Sequence, residues 1–316
     1  MKRRIPLIFA LCLLLLLSGC TNPAAQPAPA PPGAYTLTDT LGNTASPPEN
    51  PRVVSLYGSF SQCWLLSGGT LCGVTADAVE EHGIETGGDI ALVGSVKEPS
   101  LEQIAALSPD YVLLSADLTQ HLALDAALSD MQIPHGYFRM DTFEDYSRIM
   151  AEFCTANGDD GTRYAQYVTE VENRIDTIKT KTAATFAENP PRVLLLRAYS
   201  TGVKAKTDDN LAGVILDELG AYNIAYDAPG MLEELSVEAI ITADPDFIFV
   251  TTMGSAEAAE AYMLEAVESN PAWAGMSAVQ NGRYIFLPKD LFHYKPLNRW
   301  DESYAYLAEI LLEKTE

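Results

Sequence analysis

From Tyr35 onward the chain alternates short apolar runs with longer stretches in which apolar residues recur every three or four positions. Arg52-Val-Val-Ser-Leu56, Tyr111-Val-Leu-Leu-Ser115, Arg192-Val-Leu-Leu-Leu-Arg197 and Asp246-Phe-Ile-Phe-Val-Thr251 are nearly continuous in apolar character. Such runs suit strands covered on both faces, as in a parallel sheet lined by helices. The alternation predicts an α/β fold with central parallel sheets.

Near mid-chain, Tyr164, Tyr167, Val168, Val171, Ile175 and Ile178 fall at three- and four-residue steps, with Glu170, Glu172, Arg174, Asp176 and Lys179 between them. This predicts one long amphipathic helix, opened by the turn Asn157-Gly-Asp-Asp-Gly161 and closed by Asn189-Pro-Pro191. On either side of it lies a repeat. Ser100-Leu-Glu-Gln-Ile-Ala-Ala-Leu-Ser-Pro-Asp110 precedes one strand, and Ser236-Val-Glu-Ala-Ile-Ile-Thr-Ala-Asp-Pro-Asp246 precedes another. Each copy places a serine to cap a short helix and a glutamate in its first turn, where the helix dipole favours an anion. Two similarly built Rossmann-like lobes joined by one helix are expected, with residues 35–158 as the first lobe, 159–188 as the connector and 189–316 as the second lobe. A final amphipathic helix is expected from Glu302 to Leu312, with Arg299 and Trp300 packing beside it.

The first residues change the picture of where the protein works. Lys2, Arg3 and Arg4 precede an uncharged apolar run from Ile5 to Leu17. It is too short to span a bilayer, which takes about 20 residues, and has the layout of an export signal. Leu17-Ser-Gly-Cys20 looks like a lipobox, so residues 1–19 are expected to be removed and Cys20 acylated, anchoring the chain to the cell membrane. Residues 20–34 form a Pro/Ala-rich tether without apolar period. The formal net charge is -23, and about -26 without the three leader cations. That balance excludes nucleic acid, whose binding needs clustered cations. Cys63, Cys72 and Cys154 remain after the leader and the anchor. Without a Cys-x-x-Cys pair they form no zinc or disulfide framework, leaving a Cys63–Cys72 bridge or buried free thiols.

Across nearly the whole mature chain the sequence resembles the cobalamin- and iron-siderophore-binding receptors of ABC importers. Thr38-Asp39-x-x-Gly42 with Pro51-Arg-Val-Val-Ser55 matches the opening hairpin and first strand. Leu66 to Thr75, and Val93-Gly94 through Pro109-Asp110, follow in order, as do Asn210 to Ala225, Asn270-Pro-x-Trp273 and Ala278-Val-x-Asn-Gly-Arg283. The resemblance implies a monomeric extracytoplasmic receptor with no intrinsic cofactor. Its ligand is an iron chelate, haem or corrinoid, passed to a permease and its ATPase. It also implies that Glu102 and Glu238, one per lobe, dock onto permease arginines, and that one stiff connecting helix limits lobe closure.

Ligands of this kind call for aromatic walls and a few cations on the loops after strand ends. The candidates are Tyr57, Phe60, Trp64 and Arg139 with Met140 from the first lobe, and Arg197, Tyr199, Met253, His293 and Tyr294 from the second. His293 or Tyr294 opposite Met140 or Tyr57 would suit haem iron. Three other readings stand beside this one. A bare zinc or manganese receptor would need convergence of His82, His121, His135 or His293 with carboxylates. A hydrolase would place Ser59 or Cys63 beside a histidine, although no hydrolase, P-loop, zincin or dinucleotide motif is present. A surface adhesion or storage lipoprotein would have no transporter.

Overall fold

The computed structural model describes residues 35–227, 230 and 236–313. The leader, the tether and Cys20 lie outside them. The first described elements, β1 (Leu37–Thr38) and β2 (Thr44–Ala45), form an antiparallel hairpin. Its turn is held by Asp39, whose carboxylate accepts from Leu41 N, Asn43 N and Asn43 Nδ2, while Gly42 takes a φ of 85°. Asp39 also accepts from Tyr137 N, on an outer strand, so the hairpin blunts a sheet edge.

The first sheet contains β3 (Val53–Ser55), β4 (Leu71–Val74), β5 (Ala91–Leu92), β6 (Tyr111–Ser115) and β7 (His135–Phe138). All pairings are parallel, in the order β5-β4-β3-β6-β7. The order reverses between β3 and β6, the point where open α/β sheets bind ligands. The second sheet contains β8 (Arg192–Tyr199), β9 (Gly202–Lys206), β10 (Tyr222–Asn223), β11 (Phe247–Thr252) and β12 (Tyr284–Phe286). Its parallel path runs β10-β8-β11-β12, with β9 folding back antiparallel on β8. The fold is therefore the expected α/β type with parallel central sheets.

Strand alternation divides the core. Tyr111 and Leu113 of β6, with Val193 and Leu195 of β8, join one apolar cluster. Val112 and Leu114 face a second, and Leu194 and Leu196 a third. The first cluster runs through Val168, Val171 and Ile175 and takes in Trp300, Tyr304 and Leu307, so both sheets share it. The helical course Thr162–Phe186 carries these residues, with a π turn at Ala165–Thr169. The last helix, Trp300–Leu312, packs on it, and Arg174 Nε donates to Asp301 at 2.6 Å.

The internal repeat is also structural. Ser100 accepts from Gln103 N and Ser236 from Ala239 N. Ser108 and Asp244, each before its proline, have φ of 47° and 38°. Asp110 then accepts from Arg52 N and Asp246 from Arg192 N, both at 2.8 Å, so each lobe ties its helix end to the neighbouring strand in the same way. Cys63, Cys72 and Cys154 are all buried free thiols.

Candidate functional site

Every strand of a parallel sheet ends on the same side, and most of the expected ligand residues stand on those ends. Tyr57 follows β3 and Arg139 follows β7. In the second sheet Arg197 and Tyr199 close β8, and Met253 follows β11. His293 and Tyr294 come after β12 and the short helix Lys289–Phe292. Tyr57, Arg197, Tyr199, Met253, His293 and Tyr294 are partly buried, and Arg139 is exposed.

The two walls carry opposite charge. Around the Tyr57 hydroxyl stand Glu81, Asp77, Asp117 and Asp141, and burial together with those acids pushes it up to about 12. Around His293 stand Lys289, Arg197 and Lys295. Burial first, then these cations, push its imidazole down to about 4, so it is neutral at physiological pH. Partial desolvation and the nearby Asp77 carboxylate raise Glu81 to about 7, against the pull of Lys289.

Some of these charges are already partnered. Arg139 Nε donates to Asp117 at 2.6 Å, and Lys295 Nζ donates to Asp141 at 2.9 Å. Lys289 Nζ donates to the Gly254 carbonyl at 2.6 Å and lies 5.5 Å from the Tyr294 ring centre. Arg197 differs from them: its Nε is buried with no hydrogen-bond partner among the described residues. A guanidinium N–H removed from water without an acceptor costs about 1–3 kcal/mol or more, a deficit that an anionic ligand would relieve.

Phe60, Trp64 and Met140 need correcting as contact residues. Phe60 and Met140 are buried in the core, Phe60 edge-on to Phe138 at 5.9 Å. Trp64 is fully buried, packs edge-on to Phe153 at 5.1 Å, and donates Nε1 to the Thr70 carbonyl. The helix Gly58–Leu66 turns these rings inward, and Phe60, Cys63 and Trp64 fall on one face at helical spacing. That spacing was visible in the sequence. A haem geometry using Met140 falls with it.

The helix begins at Gly58, whose amide donates to Asp77 at 2.6 Å. A Cβ there would stand 3.0 Å from Ala78 N and 2.8 Å from the His82 ring, so glycine permits helix Ala76–His82 to approach. That approach places Ser59 Oγ 3.3 Å from His82 Nε2. The serine–histidine contact of the hydrolase reading is thus present. Ser59 is only 3% exposed, however, and no acid reaches the other ring nitrogen among the described residues. The histidines serve separately. His121 is buried, accepting from Ser115 N and donating to Val96 O, and His135 pairs with Asp125 at 3.1 Å. Among the described residues no cluster of three or more His, Cys, Asp or Glu is placed to hold a metal ion.

Glu102 and Glu238 are exposed in the first turns of their capped helices. A crossover helix runs antiparallel to the strands it joins, so both first turns lie at the strand-end side that carries the other candidates.

The family model for periplasmic binding proteins matches residues 53–291. The chain belongs to the periplasmic binding protein family. YhfQ of Bacillus subtilis, provisionally described as an ABC transporter substrate-binding lipoprotein, is 24% identical over 99% of this chain and 98% of its own length. The Fe(3+)-citrate-binding protein YfmC of the same organism is 22% identical, over 87% of this chain and 86% of its own. Among solved structures, the iron uptake ABC transporter substrate-binding protein PiuA from Streptococcus pneumoniae superposes with a TM-score of 0.68 at 19% identity. It covers 91% of this chain and all of that one. Family members bind solutes rather than transform them. No helix among the described residues is long and apolar enough to cross a membrane.

Proposed function

We propose that this protein is an extracytoplasmic receptor that captures an anionic iron chelate and delivers it to an ABC importer. The observation that carries this reading is Arg197, whose buried Nε has no partner among the described residues and which stands with Lys289 and Lys295 around a neutral His293. Tyr57, Tyr199, Met253 and Tyr294 supply the apolar and aromatic surface that a large chelate needs. The Fe(3+)-citrate-binding relative and the iron-uptake structure support the same class of ligand. Acylation of Cys20 holds the receptor on the membrane, and Glu102 and Glu238 present one carboxylate per lobe to the permease.

The test is fluorescence titration of the detergent-solubilised full chain with ferric citrate, ferric hydroxamates, haem and cobalamin. Saturable quenching by ferric chelates, weakened about tenfold or more in Arg197→Ala, is expected from the loss of a charge-assisted contact. The neutral imidazole of His293 beside Tyr294 favours haem as the second reading. A Soret band that shifts on mixing and is lost in His293→Ala would establish it. Silence with all four ligands would overturn both.

A further inference from the structure

The segment Tyr294–Arg299 follows the second sheet but packs on the first lobe. Leu297 is 4% exposed, belongs to the apolar cluster that holds Phe60 and Phe138, and lies in the short turn Leu297–Arg299 that contacts helix Gly58–Leu66. It does so with a φ of 58°, a left-handed conformation that costs a non-glycine residue of order 1 kcal/mol. Trp300 continues the crossing, edge-on to Phe143 at 6.2 Å. The crossing carries Lys295 to Asp141, the residue just ahead of the Thr142 cap of helix Phe143–Ala156.

This ion pair lies between the two walls of the cleft. Asp141 is among the acids around Tyr57, and Lys295 is among the cations around His293. The lysine side chain is 20% exposed and the aspartate 53%, so the pair is open to water on the acid's side. A half-exposed pair of this kind contributes little, about 0–1 kcal/mol, and exchanges readily for another anion. Beside it Gln62, Glu81 and His82 face Tyr294, Lys295 and Asn298 across a groove of about 180 Å3.

We infer that Asp141 is a specificity-determining residue: its carboxylate occupies Lys295 as an internal stand-in for ligand, and an anionic chelate must displace it to use that cation. A chelate without an anionic group leaves the pair closed and meets Arg197 alone. A polyanion gains Lys295 but is left beside the displaced carboxylate, so Asp141 restrains its affinity. The inference rests on the chelate-binding reading above.

Two measurements test it and separate its failure from that of the reading. In fluorescence titrations of the full chain, Asp141→Asn should tighten binding of ferric citrate by about threefold to tenfold and leave a neutral ferric trihydroxamate within about twofold, and Lys295→Gln should weaken binding of citrate alone. Equal shifts for the two chelates, or none, overturn the role of Asp141. Without ligand, amide hydrogen exchange across 294–299 should speed up in Asp141→Asn and in Lys295→Gln and return towards the wild-type rate in the charge-exchanged double variant Asp141→Lys/Lys295→Asp. Unchanged exchange in both single variants overturns the hold of the Lys295–Asp141 pair on this segment even if no chelate binds. Faster exchange in the two single variants of a protein that binds neither chelate would count against the receptor reading alone.

Discussion

Single residues in the cleft differ most in whether their charge is already spent. Arg139 and Lys295 have carboxylates within hydrogen-bonding distance, and Arg197 has none among the described residues. A substitution at Arg139 should therefore disturb Asp117 and little else, whereas one at Arg197 should remove ligand affinity. Burial among cations lowers the protonation of His293. Its folded value lies below the unfolded one, so protons favour the unfolded chain and stability is lost as pH falls from about 6.5 towards 4. Thermal melting from pH 7 to 4.5 should fall more steeply for the wild type than for His293→Gln, and parallel curves would refute the assignment. Trp64 gives the opposite case. Trp64→Ala should cost about 3–5 kcal/mol in chemical denaturation, because it empties a packed core rather than a binding wall.

Among the elements, the pair of capped helices offers the cleanest comparison, since each lobe repeats the same serine, glutamate and proline–aspartate geometry. Ser100→Ala and Ser236→Ala should each destabilise by about 1 kcal/mol, measured by urea midpoint. Glu102→Ala with Glu238→Ala should leave chelate binding intact and abolish uptake by cells carrying the importer. Unimpaired uptake would remove the docking role. The long strands and the amphipathic course through Tyr164 to Ile178 were readable because a continuous apolar run or a sustained period leaves a strong signal. β5 and β10 span only two residues each, and β7 reads His-Gly-Tyr-Phe, so neither run nor period marks them. Nor did the sequence suggest the π turn at Ala165–Thr169, where apolar spacing is unbroken. The strand-end candidates followed from topology, but Lys289, Lys295 and Asp141 did not. They meet only because the chain crosses back over the first lobe after the second sheet is complete.

Seen as a whole molecule, one apolar cluster threads both sheets, the connecting course and the last helix. Wide separation of the lobes would expose that cluster to water, at about 25 cal/mol per Å2 of apolar surface, so closure on ligand should be small. Small-angle scattering should give nearly equal radii of gyration for the free and chelate-loaded receptor; a large contraction would show a freer hinge. The same cluster also orders events in time. Leu297, Trp300 and Tyr304 complete the surroundings of Phe60 and Phe143, yet they follow the whole second sheet in sequence. A chain emerging in sequence, from a ribosome or through an export channel, cannot finish its first half until the segment beyond the second sheet arrives. Nonsense mutations just ahead of Leu297 should thus leave an unfinished N-terminal half that proteases clear, not a usable fragment.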